Sequence, residues 1–140
     1  MNNTSIGKLL WEEKYSVGVK LIDDQHKMMF ETINTLIDIL GGVPQKNEID
    51  EIISKLVEYK KFHFATEEKY FDDFNYENAE EHKAKHRDFN NKLDELVAKN
   101  KDDSIILAFG LIDFLEDWLL DHLITEDQKY VECFAKNGLK

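Results

Sequence analysis

Basic residues are scarce in this chain, and the scarcity excludes whole classes of partner. Its 140 residues hold 29 Asp and Glu against 18 Lys and Arg, a formal net charge of -11, and Arg87 is the sole arginine. Nucleic acid and anionic membrane surfaces are bound by clustered Lys and Arg, so neither is expected as a partner. The acidic surplus reads as a solvated surface that keeps the protein soluble. Cysteine is confined to Cys133, which rules out an internal disulfide and leaves no thiolate set for a structural zinc. Beside Phe134, it reads as packing. Long apolar runs are missing too: the longest, Ile105 to Ile112, is far too short to span a bilayer. The opening MNNTSIGKLLWEEKYSV lacks the apolar centre of a secretory signal, so the expectation is a cytoplasmic protein without membrane insertion. No internal repeat and no Gly-rich phosphate loop is present, so nucleotide chemistry is not indicated.

What is present is ordinary globular material, 42% hydrophobic and 34% charged, in a length that suits one domain over 1–140. Glycine and proline cluster at Gly41, Gly42 and Pro44, a strong helix stop. Four amphipathic helices are predicted at about 22–40, 48–74, 79–99 and 104–122, preceded by an arm over 1–20 and followed by a short helix at about 126–136. Asn47 is the expected N-cap of the second helix. Trp11, Tyr15, Val17 and Val19 make the arm apolar enough to pack on the helices. Connections this short favour antiparallel neighbours. The predicted fold class is therefore all-α, an up-down-up-down four-helix bundle.

The inward seams follow from steps of three and four. They run His26, Phe30, Ile33, Ile37, Leu40 on the first helix and Ile49, Ile52, Leu56, Tyr59, His63, Glu67, Tyr70, Phe74 on the second. The third carries Ala79, His82, His86, Phe89, Leu93, Leu96, and the fourth Ile105, Ala108, Ile112, Leu115, Leu119, His122. All five histidines of the chain therefore lie on predicted seams. Residues four apart differ by roughly 40° around a helix, so His63 with Glu67, and His82 with His86, can each reach one point from one helix. One such histidine alone reads as a hydrogen-bonded core imidazole. The set does not, because a buried Glu67 needs a positive partner, Arg87 lies off the seam, and the lysines mostly do too.

Metal ions supply that charge and explain the converging imidazoles. Asp127 completes the set. It stands five residues after His122, which on an unbroken helix turns it roughly 140° away. A break between them, with Thr125 and Gln128 as a capping box, brings it back. Five imidazoles and two carboxylates exceed one tetrahedral zinc, whereas two ions sharing both carboxylates use all seven groups. Nitrogen-rich ligation suits iron, with manganese or zinc as alternatives. The Glu-x-x-His pairs of ferritin-like sites and the His-Glu-x-x-His of zinc proteases are both absent.

GVKLIDDQHK around His26, HFATEE around His63, EHKAKH at His82 and His86, and HLITEDQKY after Trp118 resemble the hemerythrin family, specifically its single-domain bacterial members. The resemblance implies two Fe ions with an oxo or hydroxo bridge. His82, His86 and His122 would bind one iron, His26 and His63 the other, and Glu67 and Asp127 would bridge them. The first iron is then six-coordinate, and the second keeps a position where O2 binds reversibly. The implied function is an oxygen carrier, store or delivery protein rather than an enzyme, with O2 as ligand and an oxygen-consuming enzyme as a possible partner. A diiron enzyme with peroxidase or nitric-oxide-handling activity, or an O2 sensor, is the alternative. Phe64, Trp118, Leu119 and Leu123 are expected to line the O2 pocket, and Tyr130 either supports the site or is structural.

Overall fold

The computed structural model describes residues 7–140; residues 1–6, the start of the expected arm, lie outside them. Four long helices carry the fold: α1 Lys20–Gly41, α2 Lys46–Asp73, α3 Ala79–Lys99 and α4 Ser104–Ile124, with a short α5 at Val131–Lys136. Each long helix packs on the next, and α4 closes back on α1 and α2. Among the described residues none is a strand, and no helix is long and apolar enough to cross a membrane.

The helix ends show the local causes. At the end of α1 the Gly42 N–H bonds back to the Ile39 carbonyl at 3.2 Å. Asn75, with φ of 51°, takes the left-handed conformation after α2. That lets the Tyr76 N–H reach the Phe71 carbonyl at 2.9 Å while their rings meet at 5.0 Å, the paired polar and apolar contacts of a Schellman stop. Asp103 caps α4 by accepting from the Ile106 N–H at 3.1 Å. At α2 the structure differs from expectation. Gln45, without a side-chain bond, occupies the N-cap, and Asn47 lies inside the first turn.

Two apolar clusters fill the interior. The larger joins Phe30, Ile33, Leu36, Ile49, Phe89, Leu111 and their neighbours along the bundle. The smaller gathers Val17, Val19, Ile22, Phe71, Tyr76, Tyr130 and Phe134 at one end. The arm therefore packs, with Trp11 set edge-on against both Tyr15 and Phe30 at 5.6 Å. Ile105, read as a seam residue, is instead 42% exposed, because α4 is apolar nearly all round in its first turns and its periodicity does not mark one face. Buried histidines lie where the two clusters meet. Phe64 of the larger one lies on His86, and Phe71 and Tyr130 of the smaller one lie against His82.

Candidate metal centre

Burial comes first. His26, His63, Glu67, His82, His86, His122 and Asp127 are all buried, and both carboxylates are at 0% exposure. The helices bring them into two overlapping groups. In one, Glu67 meets His82, His86 and His122; in the other, Glu67 and Asp127 meet His26 and His63, with the ligand-type atoms of each group within 4.8 Å of one another.

Asp127 straddles the groups. Its Oδ1 lies 3.0 Å from His122 Nε2 and 3.2 Å from His82 Nε2, and its Oδ2 lies 3.3 Å from His26 Nε2. Glu67 reaches both sides through one oxygen, Oε1, which lies 3.1 Å from His86 Nε2, 3.4 Å from His63 Nε2 and 3.6 Å from His82 Nε2. Its other oxygen accepts from the Tyr130 hydroxyl at 2.6 Å. Burial and the charges of Asp127 and Glu67 raise the Tyr130 phenol well above its usual pKa, so it stays protonated and donates.

The chain reaches Asp127 by stopping α4 at Ile124 and turning into a 3-10 helix over Asp127–Tyr130. The expected capping box is not what does this. Thr125 turns back, its hydroxyl donating to the Asp121 carbonyl at 2.7 Å. The Gln128 amide donates to the carbonyls of Leu123 at 3.2 Å and Ser16 at 3.2 Å. A threonine at a helix C-terminus finds a free carbonyl one turn back, and that local bond outcompetes capping a turn not yet begun. Gln128 thus ties the end of α4, the arm and the residue beside Asp127 together.

Hydrogen bonding distinguishes a polar core from a ligand set. Glu67 Oε1, both Asp127 oxygens, His86 Nε2, and the Nδ1 atoms of His26 and His82 have no hydrogen-bond partner. The carboxylate oxygens lie close to imidazole nitrogens but are not aimed along a hydrogen bond, so they converge without satisfying one another. Buried polar atoms are rarely left so. His26 Nε2 and His63 Nε2 are 2.9 Å apart, and His82 Nε2 and His122 Nε2 are 3.0 Å apart. Donors on adjacent corners of an octahedral shell with bonds of about 2.1 Å stand about 3 Å apart, so the donor set fits metal ions.

The outer ring nitrogens fix the tautomers of two imidazoles. His86 Nδ1 donates to Glu68 Oε2 at 2.7 Å, since a carboxylate only accepts. His63 Nδ1 donates to Gln25 Oε1 at 2.8 Å. The Gln25 amide is oriented by its NH2, which donates to Thr66 Oγ1 at 3.1 Å while that hydroxyl donates to the Phe62 carbonyl at 2.9 Å. Both rings therefore present Nε2 lone pairs inward. Gln25 and Glu68 escape sequence reasoning because their partners come from another helix. Their only signal is adjacency, Gln25 to His26 and Glu68 to Glu67.

Electrostatics follows from crowding. Burial pushes His63 down to about 3, only partly offset by the charge of Glu67, so it is neutral. Burial lowers His82 too, but the adjacent Asp127 and Glu67 carboxylates outweigh it and push it up to about 10. Against burial and each other's charge, the surrounding imidazoles hold Glu67 and Asp127 well below the usual carboxylate range. The two anions are thus ionised and need a cation between them, a proton or a metal.

Aromatic rings clamp the outer imidazoles. Phe64 stacks on His86 at 3.8 Å and 8°, and Trp118 stacks on His122 at 4.2 Å and 15°. Leu119 and Leu123 are buried on α4 to either side of His122, in the same apolar cluster as Phe64.

The chain is similar to known proteins in sequence and in fold. The family model described as the hemerythrin HHE cation binding domain matches residues 17–134. A bacteriohemerythrin of Clostridium acetobutylicum is 29% identical over 127 residues, covering 88% of this chain and 98% of its own. One of Pseudomonas aeruginosa is 32% identical over 125 residues, covering 89% and 80%. Myohemerythrin-1 of Phascolopsis gouldii is 34% identical over 122 residues, covering 86% and 90%. A crystal structure of wild-type hemerythrin superposes with a TM-score of 0.72 at 27% identity, covering 92% of this chain and 99% of that one. By the span of the match and the fold it shares, the chain belongs to the hemerythrin family.

Proposed function

We propose that the cluster holds a non-haem diiron centre and binds O2 reversibly, making the protein an oxygen carrier, store or delivery protein. The observation that carries this is the convergence of five buried imidazoles on two buried carboxylates whose inward oxygens have no hydrogen-bond partner. Relatives named bacteriohemerythrin and myohemerythrin support the same reading.

His82, His86 and His122 would hold one iron and His26 and His63 the other, with Glu67, Asp127 and an oxo or hydroxo group between them. A ferrous pair held there would supply the electrons for reversible O2 uptake. Everything else is the work of the chain. Glu68 and Gln25 hold two imidazoles with Nε2 facing inward. The Tyr130 hydroxyl holds the outer oxygen of Glu67. Phe64, Trp118, Leu119 and Leu123 wall the centre with apolar surface, which keeps water away from a bound apolar diatomic. The side with two imidazoles has one protein donor fewer, so a small ligand finds room there.

The test is anaerobic loading with ferrous iron, a metal count per chain, and optical spectra under argon, then air, then argon. Two irons and a visible charge-transfer band that comes and goes with O2 are expected. His63→Ala and Glu67→Ala should each abolish that band; full retention in either contradicts the assignment. A spectrum that changes once and stays ferric, with steady turnover of peroxide or nitric oxide, points to the enzymatic alternative.

A further inference from the structure

The two halves of the centre are backed by different chemistry. Behind His86, on the three-imidazole side, the acceptor is the Glu68 carboxylate at 2.7 Å. Behind His63, on the two-imidazole side, it is the neutral Gln25 amide at 2.8 Å. The lengths are nearly equal, and the charges differ by a full unit. Among the described residues, no Lys or Arg lies within ion-pair distance of Glu68, since the nearby Lys83 pairs with Asp72 at 2.7 Å. Neither backing group can readily change its role. Phe64 stacked on His86 fixes that ring's plane, and the bonds of Gln25 through Thr66 to Phe62 fix which end of the amide faces His63.

A carboxylate accepting the outer N–H of a ligating imidazole makes the ring a stronger donor, and stronger donation favours the more highly charged ion. A neutral amide accepts the same hydrogen bond with less polarisation. We propose that Glu68 and Gln25 make the two subsites unequal, so that the His82, His86, His122 side holds the higher oxidation state more readily than the His26, His63 side. Glu68 is then a positioning residue that sets donor strength through His86, and Gln25 is its deliberately neutral counterpart. This rests on the diiron reading above and adds to it an order in which the two one-electron steps occur.

Two variants separate charge from geometry. Glu68→Gln keeps an acceptor for His86 Nδ1 and removes the charge; Gln25→Glu adds a charge behind His63. Each is loaded with iron, its metal counted, and its two one-electron potentials measured by titration with electron-paramagnetic detection of the half-reduced state. Zinc affinity of the metal-free protein is measured in parallel. Glu68→Gln should raise the potential of one step and weaken zinc binding at one site about 10-fold or more. A tenfold change in the ferric-to-ferrous affinity ratio corresponds to about 59 mV for one electron. Gln25→Glu should lower the potential of the other step and narrow the gap between the two. Two irons bound with both potentials unmoved in both variants overturns the proposal and leaves the diiron reading intact; fewer than two irons in the unmodified protein overturns that reading instead. If Glu68→Gln fails to fold, Gln25→Glu decides by itself, and an unchanged gap there overturns the proposal.

Discussion

His63 and His82 lie in one cluster, yet burial and charge move them in opposite directions, to about 3 and about 10 from an ordinary 6.5. For His82 the folded value is raised, so its contribution to metal-free stability is complete below about 6.5 and is lost as pH rises through about 10. For His63 the folded value is lowered. As pH falls from about 6.5 toward 3, the unfolded chain takes up a proton that the folded one refuses, and stability drops. Glu67 and Asp127, held low, add to the acid-side loss. The thermal midpoint of the metal-free protein should therefore peak near pH 6.5 and fall on both sides; a midpoint flat from about pH 5 to about 9 would contradict this. His82 must also surrender its proton to bind metal, so loading in weak buffer near neutrality should release acid. At this scale the ligand-type residues were legible because their spacing of four on one face is a local property. Gln25 and Glu68 were not, since a side chain that bonds across to another helix leaves no periodic trace.

Among the elements, the turn after α4 matters most, because it alone carries Asp127 from the far side of a helix into the centre. Gln128 holds it by donating to the Leu123 and Ser16 carbonyls. Gln128→Ala should lower stability by about 0.5–1.5 kcal/mol, the net worth of a hydrogen bond to partly buried acceptors. It should also weaken metal binding and raise amide hydrogen exchange in the arm around Val17, whose N–H bonds to Asp23 at 2.9 Å. Unchanged exchange in the arm would show that Gln128 does not couple the two. The need for a break here was legible from the five-residue gap between His122 and Asp127. Its mechanism was not, because Thr125 and Gln128 have several bonding choices and only the approach of the arm selects among them. The lengths of α1 to α4 were readable within two residues at each end, since apolar periodicity and the Gly41, Gly42, Pro44 stop are local signals.

As a whole molecule, the bundle places two buried anions in a polar layer between two apolar clusters. A fold that keeps such a layer is expected to gain much of its stability from what binds there. Each metal bound only by the folded state contributes about 4 kcal/mol when free metal is a thousandfold above its dissociation constant. Zinc, which is redox-silent, should shift the denaturant midpoint upward, and a chelator should reverse the shift. A midpoint indifferent to both would mean that the layer is satisfied without metal. Sequence by itself determined the helix count, the inward faces of α1 to α3 and the identity of the seven candidate ligands, because periodicity, chain breakers and the cost of burying an unpaired carboxylate act on residues close in the chain. The tertiary structure decided the rest: that Asp127 straddles both groups, that Glu67 reaches both sides through one oxygen while Tyr130 holds the other, and that a charge backs His86 where an amide backs His63. These depend on how far and at what rotation one helix meets another, a quantity set by the packing of the whole core and encoded in no single segment.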